Sequence, residues 1–283
     1  MWHFTVSTAD PYLTISAFLR QQHFSQTLRR RIQRDGKMTK NGQPASLGDF
    51  LANKDEIIIS LPGSALHSAV GVLDIVFEDD FFLAVNKPAG LLTHPLSSGV
   101  EASLVNIALH HCRKSNPNSS LHPITRLDRN TSGLLLLAKN PYDHHFVQQH
   151  SMQKTYLALL ESAPPTPAGD IFLPIARKPG SIIERQISFS GQFAHSSYQI
   201  IQKYQCHTLV QFTLYTGRTH QIRVHAAACG FPLVGDDLYG KAKAPPLPGQ
   251  ALHAWRLSFY HPHTDKEINL LAPVPASWHT LFK

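Results

Sequence analysis

Hydrophobic residues in the first sixty positions recur first with helical spacing and then with strand spacing. Apolar positions in "YLTISAFLRQQH" predict one helix, and "FSQTLRRRIQRDG" predicts a second. In the second helix Ser25 can cap the N-terminus and Gly36 can close the C-terminus. Asn41-Gly42 then marks a tight turn before an apolar strand. We expect a small α/β module over residues 1–62.

From Leu73 onward the pattern is dominated by strands. "LDIVFEDDFFLAVNKPAG" consists of two apolar runs divided by acidic residues, which predicts a β-hairpin. Further strands are predicted at "SGLLLLAKN", "KTYLALLES", "SSYQIIQKY" and "HTLVQFTLYTG", and helices at "ASLVNIALHHC", "PYDHHFVQQHS" and "HQIRVHAAAC". Clustered, hairpin-linked strands favour an α+β fold with a mostly antiparallel mixed sheet flanked by helices. The sequence therefore predicts a second domain over residues 73–283, after the linker "GSALHSAVG".

Composition and charge narrow the classes of function. The chain has 283 residues, and its hydrophobic fraction of 42% is sufficient for a substantial core. A net charge of +7 and an isoelectric point near 9.4 favour a polyanionic partner such as nucleic acid. We find no apolar run of membrane-spanning length, no signal peptide and no glycine-rich phosphate loop. The expectation is a cytoplasmic protein that has no membrane partner.

Cysteine and histidine usage indicates neither a disulfide framework nor a metal site. The three cysteines are far apart, which is typical of a reducing compartment. The eighteen histidines are scattered, and none falls in a His-Glu-x-x-His arrangement. We therefore expect no metal and no cofactor.

The second predicted helix has a basic outer face, formed by Arg29, Arg30, Arg31 and Arg34. Such a face could simply be solvated, or it could contact an RNA backbone. Two short helices followed by a hairpin resemble the alpha-L RNA-binding module over Ala9 to Pro62. The resemblance implies that these arginines bind RNA.

A charged stretch leads directly into an apolar strand at "ITRLDRNTSGLLLLAKN". Asp128 stands there between Arg126 and Arg129. A carboxylate among cations stays ionised at neutral pH, which suits a nucleophile or general base. The alternative is a loop in which Asp128 merely pairs with a neighbouring arginine.

A second stretch, "LYTGRTHQIRVHAAACGFPLVGDDLYG", predicts a strand, a turn and a helix. Thr219 can cap this helix and Gly230 can end it. Arg218 and Arg223 lie at the start of the helix, where cations oppose the helix dipole. An anion in front of them would stabilise the arrangement, and either Asp128 or an RNA phosphate could supply it.

A tyrosine lies in the apolar strand "KTYLALLES". Tyr156 could be an ordinary half-buried strand residue. Beside a cleft that binds a polyanion it could instead stack on a base, an interaction worth ~1–3 kcal/mol.

Taken together, "RLDRNTSGLLLLAK", "KTYLALL" and "TGRTHQIRVHAAACGFPLVGDDLYG" resemble the RluA-type family of pseudouridine synthases. "FEDDFFLAVNKPAGLLTHP" and "ALHAWRLSFYHPHT" match further motifs of that family. The resemblance extends from about Leu73 to the C-terminus. It implies the pseudouridine synthase fold and the isomerisation of uridines in structured RNA, foremost large-subunit ribosomal RNA, without cofactors. We expect a monomer, although the sequence does not determine the oligomeric state.

The resemblance also implies roles for individual residues. The catalytic set is Asp128, Arg223 and Tyr156, in which Arg223 pairs with Asp128 and Tyr156 stacks on the uracil. Arg126 assists base flipping, and Leu252 forms the apolar floor of the pocket. Arg218 completes the substrate-binding set.

One position departs from the family pattern. Thr125 replaces the usual histidine before Arg-Leu-Asp, which concerns how the loop contacts the nucleotide.

Three other functions remain open. A transfer-RNA pseudouridine synthase and a non-catalytic RNA-binding protein of the same fold are two alternatives. A glycosidase-type hydrolase is the third, although it normally needs two carboxylates across one bond. Asp236-Asp237 is assigned only to the turn after the helix.

Overall fold

The N-terminal part of the chain forms a small antiparallel sheet packed against two helices. The computed structural model describes residues 1–96, 101–241 and 247–282. The sheet has the strand order β1-β4-β2-β3, and one hydrophobic core fills the space between it and both helices. In chain order the elements are β1 (Trp2–Thr5), α1 (Ile15–Gln21), α2 (Gln26–Asp35), β2 (Lys37–Lys40), β3 (Gln43–Pro44) and β4 (Glu56–Ser60).

The helix cap, the helix end and the tight turn predicted for this part of the chain are all present in the structure. Ser25 accepts a hydrogen bond from the backbone N–H of Leu28, and Gly36 ends α2. Asn41 and Gly42 both have positive φ, 51° and 78°, in the turn between β2 and β3. These two conformations favour Asn-Gly.

The basic face of α2 differs from the prediction at one position. Arg29 is half-buried and donates from Nη1 to the carbonyl and the hydroxyl oxygens of Ser16 in α1, at 3.0 Å each. It therefore ties the two helices together instead of lying on the outer face. Arg30 and Arg34 are exposed and Arg31 is partly exposed, and Arg34 forms a bidentate ion pair with Asp35.

The remaining elements build one large sheet with helices against it. In chain order they are β5 (Ile75–Glu78), β6 (Phe82–Lys87), α3 (Leu104–Arg113), β7 (His122–Pro123), β8 (Ser132–Ala138), α4 (Pro141–Gln149), β9 (Gln153–Leu160), β10 (Ala168–Ile171), β11 (Ile175–Arg177), β12 (Arg185–Ile187), β13 (Ser196–Lys203), β14 (Thr208–Leu214), α5 (Gln221–Ala228), β15 (Leu252–His261), β16 (Lys266–Leu271) and a 3₁₀ helix (Ala276–Leu281).

The large sheet is mostly antiparallel, which confirms the predicted fold class. Its order is β10-β13-β14-β9-β15-β8-β6-β5, with β16 beside β15 and β7 beside β8. The pair β15–β8 is parallel, whereas the other pairs are antiparallel. Strand β8 is buried along its whole length, which explains its four consecutive leucines. Short strands such as β7, β11 and β12 had no signal of their own in the sequence.

The N-terminal part contacts the large sheet through α4. Tyr142 at the start of α4 packs against the N-terminal core, and its ring lies 5.0 Å from that of Phe24. His23 also meets Phe146 edge-on. Helix α4 thus connects the predicted RNA-binding module to the wall of the cleft described below. None of the helices in the described ranges is both long enough and apolar enough to cross a membrane.

Candidate active site

A cleft of 880 Å³ opens where several loops meet one end of the large sheet. The loop before β8 forms one wall, and the turn between β14 and α5 forms the opposite wall. The beginnings of β9 and β15 supply the floor, while α4 closes one side. The cleft brings together all six sequence-predicted site residues of this domain: Arg126, Asp128, Tyr156, Arg218, Arg223 and Leu252.

Backbone contacts fix the loop that carries Asp128. The hydroxyl of Thr93 donates to the carbonyl of Leu127 at 2.7 Å and accepts from its N–H. The N–H of Thr131 donates to the Asp128 carbonyl at 3.1 Å. Since buried β8 follows at once, the loop is anchored on both sides. The carboxylate of Asp128 is 27% exposed and faces the cleft.

Asp128 pairs with an arginine that is distant in sequence. Nη1 of Arg223 lies 3.3 Å from Oδ2 of Asp128, across 95 residues of chain. Within the described ranges, neither Arg126 nor Arg129 is at ion-pair distance from this carboxylate. Arg126 is exposed at the cleft, whereas Arg129 turns away to the Gly90 carbonyl and Glu101. The contact with Arg223 is the one that the family resemblance implied.

Arg223 is itself held by a second carboxylate that the sequence analysis assigned only to a turn. Asp236 accepts from Nε and Nη2 of Arg223 at 2.8 and 2.7 Å, and both side chains are almost fully buried. Asp236 also accepts from the N–H groups of Leu238 and Tyr239. A bidentate pair of this kind fixes the plane of the guanidinium, so Nη1 is aimed at Asp128. No pattern in the sequence marked Asp236 as a partner of Arg223.

The charges in this cluster do not cancel. Arg223 contacts Asp236, Asp128 and also Asp237, whose Oδ1 lies 3.1 Å from Nη2. Burial opposes the charge of Arg223, but the carboxylates of Asp236 and Asp128 outweigh burial and raise its pKa. One cation therefore faces three carboxylates, and Asp128 keeps much of its negative charge.

A histidine missed in the sequence analysis lies on the other side of Asp128. Nε2 of His220 is 3.8 Å from Oδ1 of Asp128, while Nδ1 is 2.9 Å from the Tyr239 hydroxyl. That hydroxyl accepts from the N–H of Arg185, so its own proton can go to Nδ1 of His220. The imidazole hydrogen is then on Nε2, facing Asp128. Burial lowers the pKa of His220, while Asp128 opposes this effect.

The predicted cap of α5 is wrong. His220, not Thr219, precedes the helix, and it adopts the left-handed conformation with φ 57° and makes no capping bond. The Gln221 side chain accepts instead from the N–H of Arg218 and the hydroxyl of Thr216. This conformation turns the His220 ring toward the cleft. The predicted stop is confirmed, since Gly230 follows α5 with φ 89°.

Lys87 supports the loop that carries Asp128. Its side chain is fully buried, and Nζ donates to the carbonyls of Pro88, Leu91 and Arg129 at 2.8–2.9 Å. Burial lowers the pKa of Lys87 to about 7, although the Asp128 charge acts in the opposite direction. Three acceptors match the three donors of an ammonium group. Lys87 thereby ties the residue after Asp128 to the strand β6.

Tyr156 and Leu252 lie side by side on the floor of the cleft. Tyr156 of β9 is paired with Phe212 of β14 and Ala254 of β15. It is 8% exposed, and burial together with the Asp128 charge raises its pKa, so its phenol stays protonated. Leu252 is 5% exposed. Lys154 also lines the cleft, and burial lowers its pKa.

Thr125 replaces the family's usual histidine without disturbing the loop. Its hydroxyl accepts from the N–H of Leu136 at 3.0 Å, and the residue is buried at the cleft wall. The smaller side chain is thus used to join the loop to β8. Across residues 1–96, 101–241 and 247–282, no three metal-ligating side chains gather into a group that could hold an ion.

Comparisons with known proteins agree with this architecture. The family model described as RNA pseudouridylate synthase matches residues 81–228. YlyB of Bacillus subtilis (strain 168), named an uncharacterized RNA pseudouridine synthase, is 34% identical over 90% of this chain and 88% of its own length. Ribosomal large subunit pseudouridine synthase D of Neisseria meningitidis serogroup A is 33% identical over 86% of this chain and 70% of its own.

A solved structure shows the same fold. Human RNA pseudouridylate synthase domain containing 4 superposes with a TM-score of 0.60 at 24% identity, over 73% of this chain and 92% of that one. Fold, motifs and relatives lead to one assignment. The chain belongs to the RluA-type family of RNA pseudouridine synthases, isomerases that act on uridine in RNA.

Proposed function

We propose that Asp128 is the catalytic carboxylate of this RNA pseudouridine synthase and that its substrate is large-subunit ribosomal RNA. The observation that supports the catalytic role most directly is the contact between Asp128 and Arg223. It places a partly exposed carboxylate at the base of the cleft and aims it with a guanidinium that Asp236 holds fixed.

The reaction is an isomerisation, so atoms and charge balance within the nucleotide. The bond from ribose C1′ to uracil N1 breaks and a bond from C1′ to C5 forms. C5 loses a proton and N1 gains one. A charged carboxylate that is only partly neutralised by Arg223 is suited to assist glycosidic cleavage. His220 lies on the side of the other oxygen of Asp128, with Nε2 3.8 Å away, beyond hydrogen-bond distance.

The other cleft residues bind and orient the uracil. A base in structured RNA must leave its stack before this chemistry, which costs a few kcal/mol. Arg126, exposed at the rim, is placed to occupy the space that the base vacates. Tyr156 offers a ring for stacking and Leu252 an apolar surface below it. Arg218 at the opposite rim is placed to bind a phosphate.

A hydrolase is disfavoured by the same geometry. The second carboxylate near Asp128 is Asp236, but its side chain has no exposed surface and Arg223 lies between the two. A pair of carboxylates that flank one glycosidic bond needs both groups open to the substrate. Asp237 is exposed, yet it too binds the guanidinium.

The choice of ribosomal RNA is supported by relatives and by charge. Several similar proteins are named ribosomal large subunit pseudouridine synthase D. We propose that residues 1–62 bind the RNA backbone beyond the cleft, through Arg30, Arg31 and Arg34. The bacterial source of these relatives supports a cytoplasmic site of action. Transfer RNA is the alternative substrate.

Two measurements test the proposal. Pseudouridines are mapped in total RNA from cells with and without the protein, and a site that disappears only from transfer RNA would overturn the ribosomal assignment. Purified Asp128→Asn protein should then form no pseudouridine in that RNA while it binds the RNA as the wild type does. Asp237→Asn, which also removes one carboxylate near Arg223, should stay active. Wild-type turnover by Asp128→Asn, with deamidation excluded, would contradict the catalytic assignment.

A further inference from the structure

Exposed aromatic side chains lie in the segments beside the cleft. Phe172, Phe193 and Tyr215 are 56%, 57% and 62% exposed, and Phe193 lies two positions before His195. With His195 these residues form what we call the aromatic surface. Exposed apolar side chains grouped in this way mark an interaction site more often than a solvated face.

Three members of the aromatic surface form an ordered stack. The His195 ring lies 4.2 Å from the ring of Phe172 and 4.2 Å from that of Tyr215, with interplanar angles of 21° and 12°. Asp170 fixes the imidazole through a 2.7 Å contact to Nε2. The two outer rings are more than half exposed, so a further planar group can extend the stack. Such parallel, solvent-facing rings match the flat face of a nucleobase.

The aromatic surface is continuous with the cleft. Arg218, which lines the cleft, donates from Nε to the carbonyl of Phe193 at 3.0 Å. The Gln221 side chain, at the start of α5, donates to the carbonyl of His195 at 2.9 Å. The aromatic surface therefore adjoins the cleft, within reach of nucleotides that neighbour a uridine bound there.

The charges nearby favour nucleic acid over an apolar protein partner. From Asp170 to Phe193 the chain carries Arg177, Lys178 and Arg185 against two acids, Asp170 and Glu184, a local charge of 3 − 2 = +1. Lys178 pairs with Glu184, while Arg177 is exposed. Aromatic rings among cations are the arrangement by which proteins hold unpaired strands, with rings on bases and cations on phosphates.

We propose that the aromatic surface binds unpaired nucleotides flanking the target uridine by stacking their bases on Phe172 and Tyr215. This inference rests on the placement of the reaction in the cleft, described under the proposed function. It assigns to these side chains a role in substrate affinity and site choice, and no role in the chemical step.

The test uses the full-length protein and the RNA in which its pseudouridine is mapped. One transcript keeps the unpaired nucleotides around the target, with 2-aminopurine at one flanking position, and a second transcript lacks them. Phe172→Ala and Tyr215→Ala should each weaken binding of the first transcript about tenfold, and the variant that removes the ring under the 2-aminopurine should abolish its quenching. They should leave binding of the second transcript unchanged.

Matched variants separate stacking from other effects. Tyr215→Phe keeps the ring and should bind as the wild type does. Tyr260→Ala is the control, because it removes an exposed tyrosine of β15 that does not line the cleft. The saturating single-turnover rate should stay near that of the wild type in all four variants. Unchanged affinity and quenching in Phe172→Ala and Tyr215→Ala would overturn the proposal.

Two further outcomes would also overturn it. A fall in the saturating rate without loss of affinity would show that the stack supports the active site. If Phe172→Ala or Tyr215→Ala sedimented differently from the wild type in the absence of RNA, with RNA binding intact, the surface would instead hold a second copy of the chain. Failure of the catalytic assignment is distinguishable, because it appears as turnover by Asp128→Asn.

Discussion

At the scale of single residues, the orientation of Arg223 depends on Asp236. Asp236 makes two short contacts with the guanidinium, whereas Asp128 makes one longer contact at 3.3 Å. The stronger pair therefore decides where Nη1 points. Asp236 acts through Arg223 and is a positioning residue rather than a catalytic one.

Asp236→Asn should lower the single-turnover rate at saturating RNA by at least about tenfold, because Arg223 loses its charged anchor and can turn toward Asp128. RNA affinity should change little. Asp237→Asn is the matched control, since Asp237 contacts the same guanidinium but is 65% exposed. Circular dichroism and thermal unfolding must show that both variants are folded. Equal effects of the two substitutions on the rate would mean that net charge matters and orientation does not.

His253 makes the fold sensitive to acid. Its side chain is 1% exposed, with Nδ1 beside the Ser132 hydroxyl, and burial lowers its pKa to about 4. Between pH 6.5 and 4 the unfolded chain binds a proton there that the folded chain does not, so stability falls as the pH falls through this window. The difference from the ordinary 6.5 corresponds to about 3 kcal/mol.

Urea unfolding at several pH values checks this expectation. His253→Gln should lose about 3 kcal/mol less stability than the wild type between pH 6.5 and 4. His253→Gln should keep part of the acid sensitivity of the wild type, because burial also lowers the pKa of His122 to about 4. If the wild type and His253→Gln have parallel curves, His253 is not the group that titrates.

At the scale of elements, the parallel contact between β8 and β15 positions the loop that carries Asp128. The loop enters β8 at Ser132 and Gly133, which are paired with His253 and Ala254. Gly133 has φ 103°, and a Cβ there would lie 2.2 Å from the Ala254 carbonyl oxygen. Only glycine allows the two backbones to approach this closely.

Gly133→Ala should therefore destabilise the protein by more than about 2 kcal/mol and reduce turnover, because β8 must move away from β15. Gly230→Ala is the matched control. It has a similar φ of 89° but nothing within 4 Å of the added Cβ, so it should lose only about 1 kcal/mol. Urea unfolding compares the two variants. Similar losses would show that backbone conformation, and not the contact with Ala254, explains the glycine.

At the scale of the whole molecule, two units with separate cores share the wall of the cleft. The N-terminal core packs on Tyr142 of α4, while His144 and Gln148 of the same helix line the cleft. Arg31 is close enough to His122 to lower its pKa, after burial and His144. The positive face of the module thus begins near the cleft rim.

Arg30→Gln combined with Arg31→Gln should weaken binding to long structured RNA while the saturating rate stays unchanged. Each lost phosphate contact should reduce the slope of log affinity against log salt by about 0.7. The substitutions are made in the full chain because deletion of residues 1–62 would expose Tyr142. The control is the double variant Lys203→Gln with Lys266→Gln, which removes the same amount of positive charge elsewhere on the surface. A salt slope equal to that of this control would show that the two arginines are only solvated.

The sequence by itself determined the regular elements and the family. Helix α2 with its Ser25 cap, the buried strand β8 and the alternating strand β14 each follow from a periodicity or cap within about ten residues of chain. The motifs around Asp128, Tyr156 and Arg223 likewise carry the family assignment without any structure. These features are local, so the chain encodes them locally.

Only the tertiary structure decided which side chains meet in the cleft. From the residues alone, the anion facing Arg223 could have been Asp128 or an RNA phosphate, and Asp236 looked like part of a turn. The left-handed conformation of His220 and the stack around His195 also had no signal in the sequence, and the motif that contains Lys87 did not show that its ammonium group binds the Asp128 loop. Each depends on the order of strands in the large sheet, and the order β14-β9-β15-β8 brings Asp128 and Arg223, 95 residues apart, to one end of it. Local periodicity does not specify that order, because it arises from long-range pairing and from burial of both faces of β8.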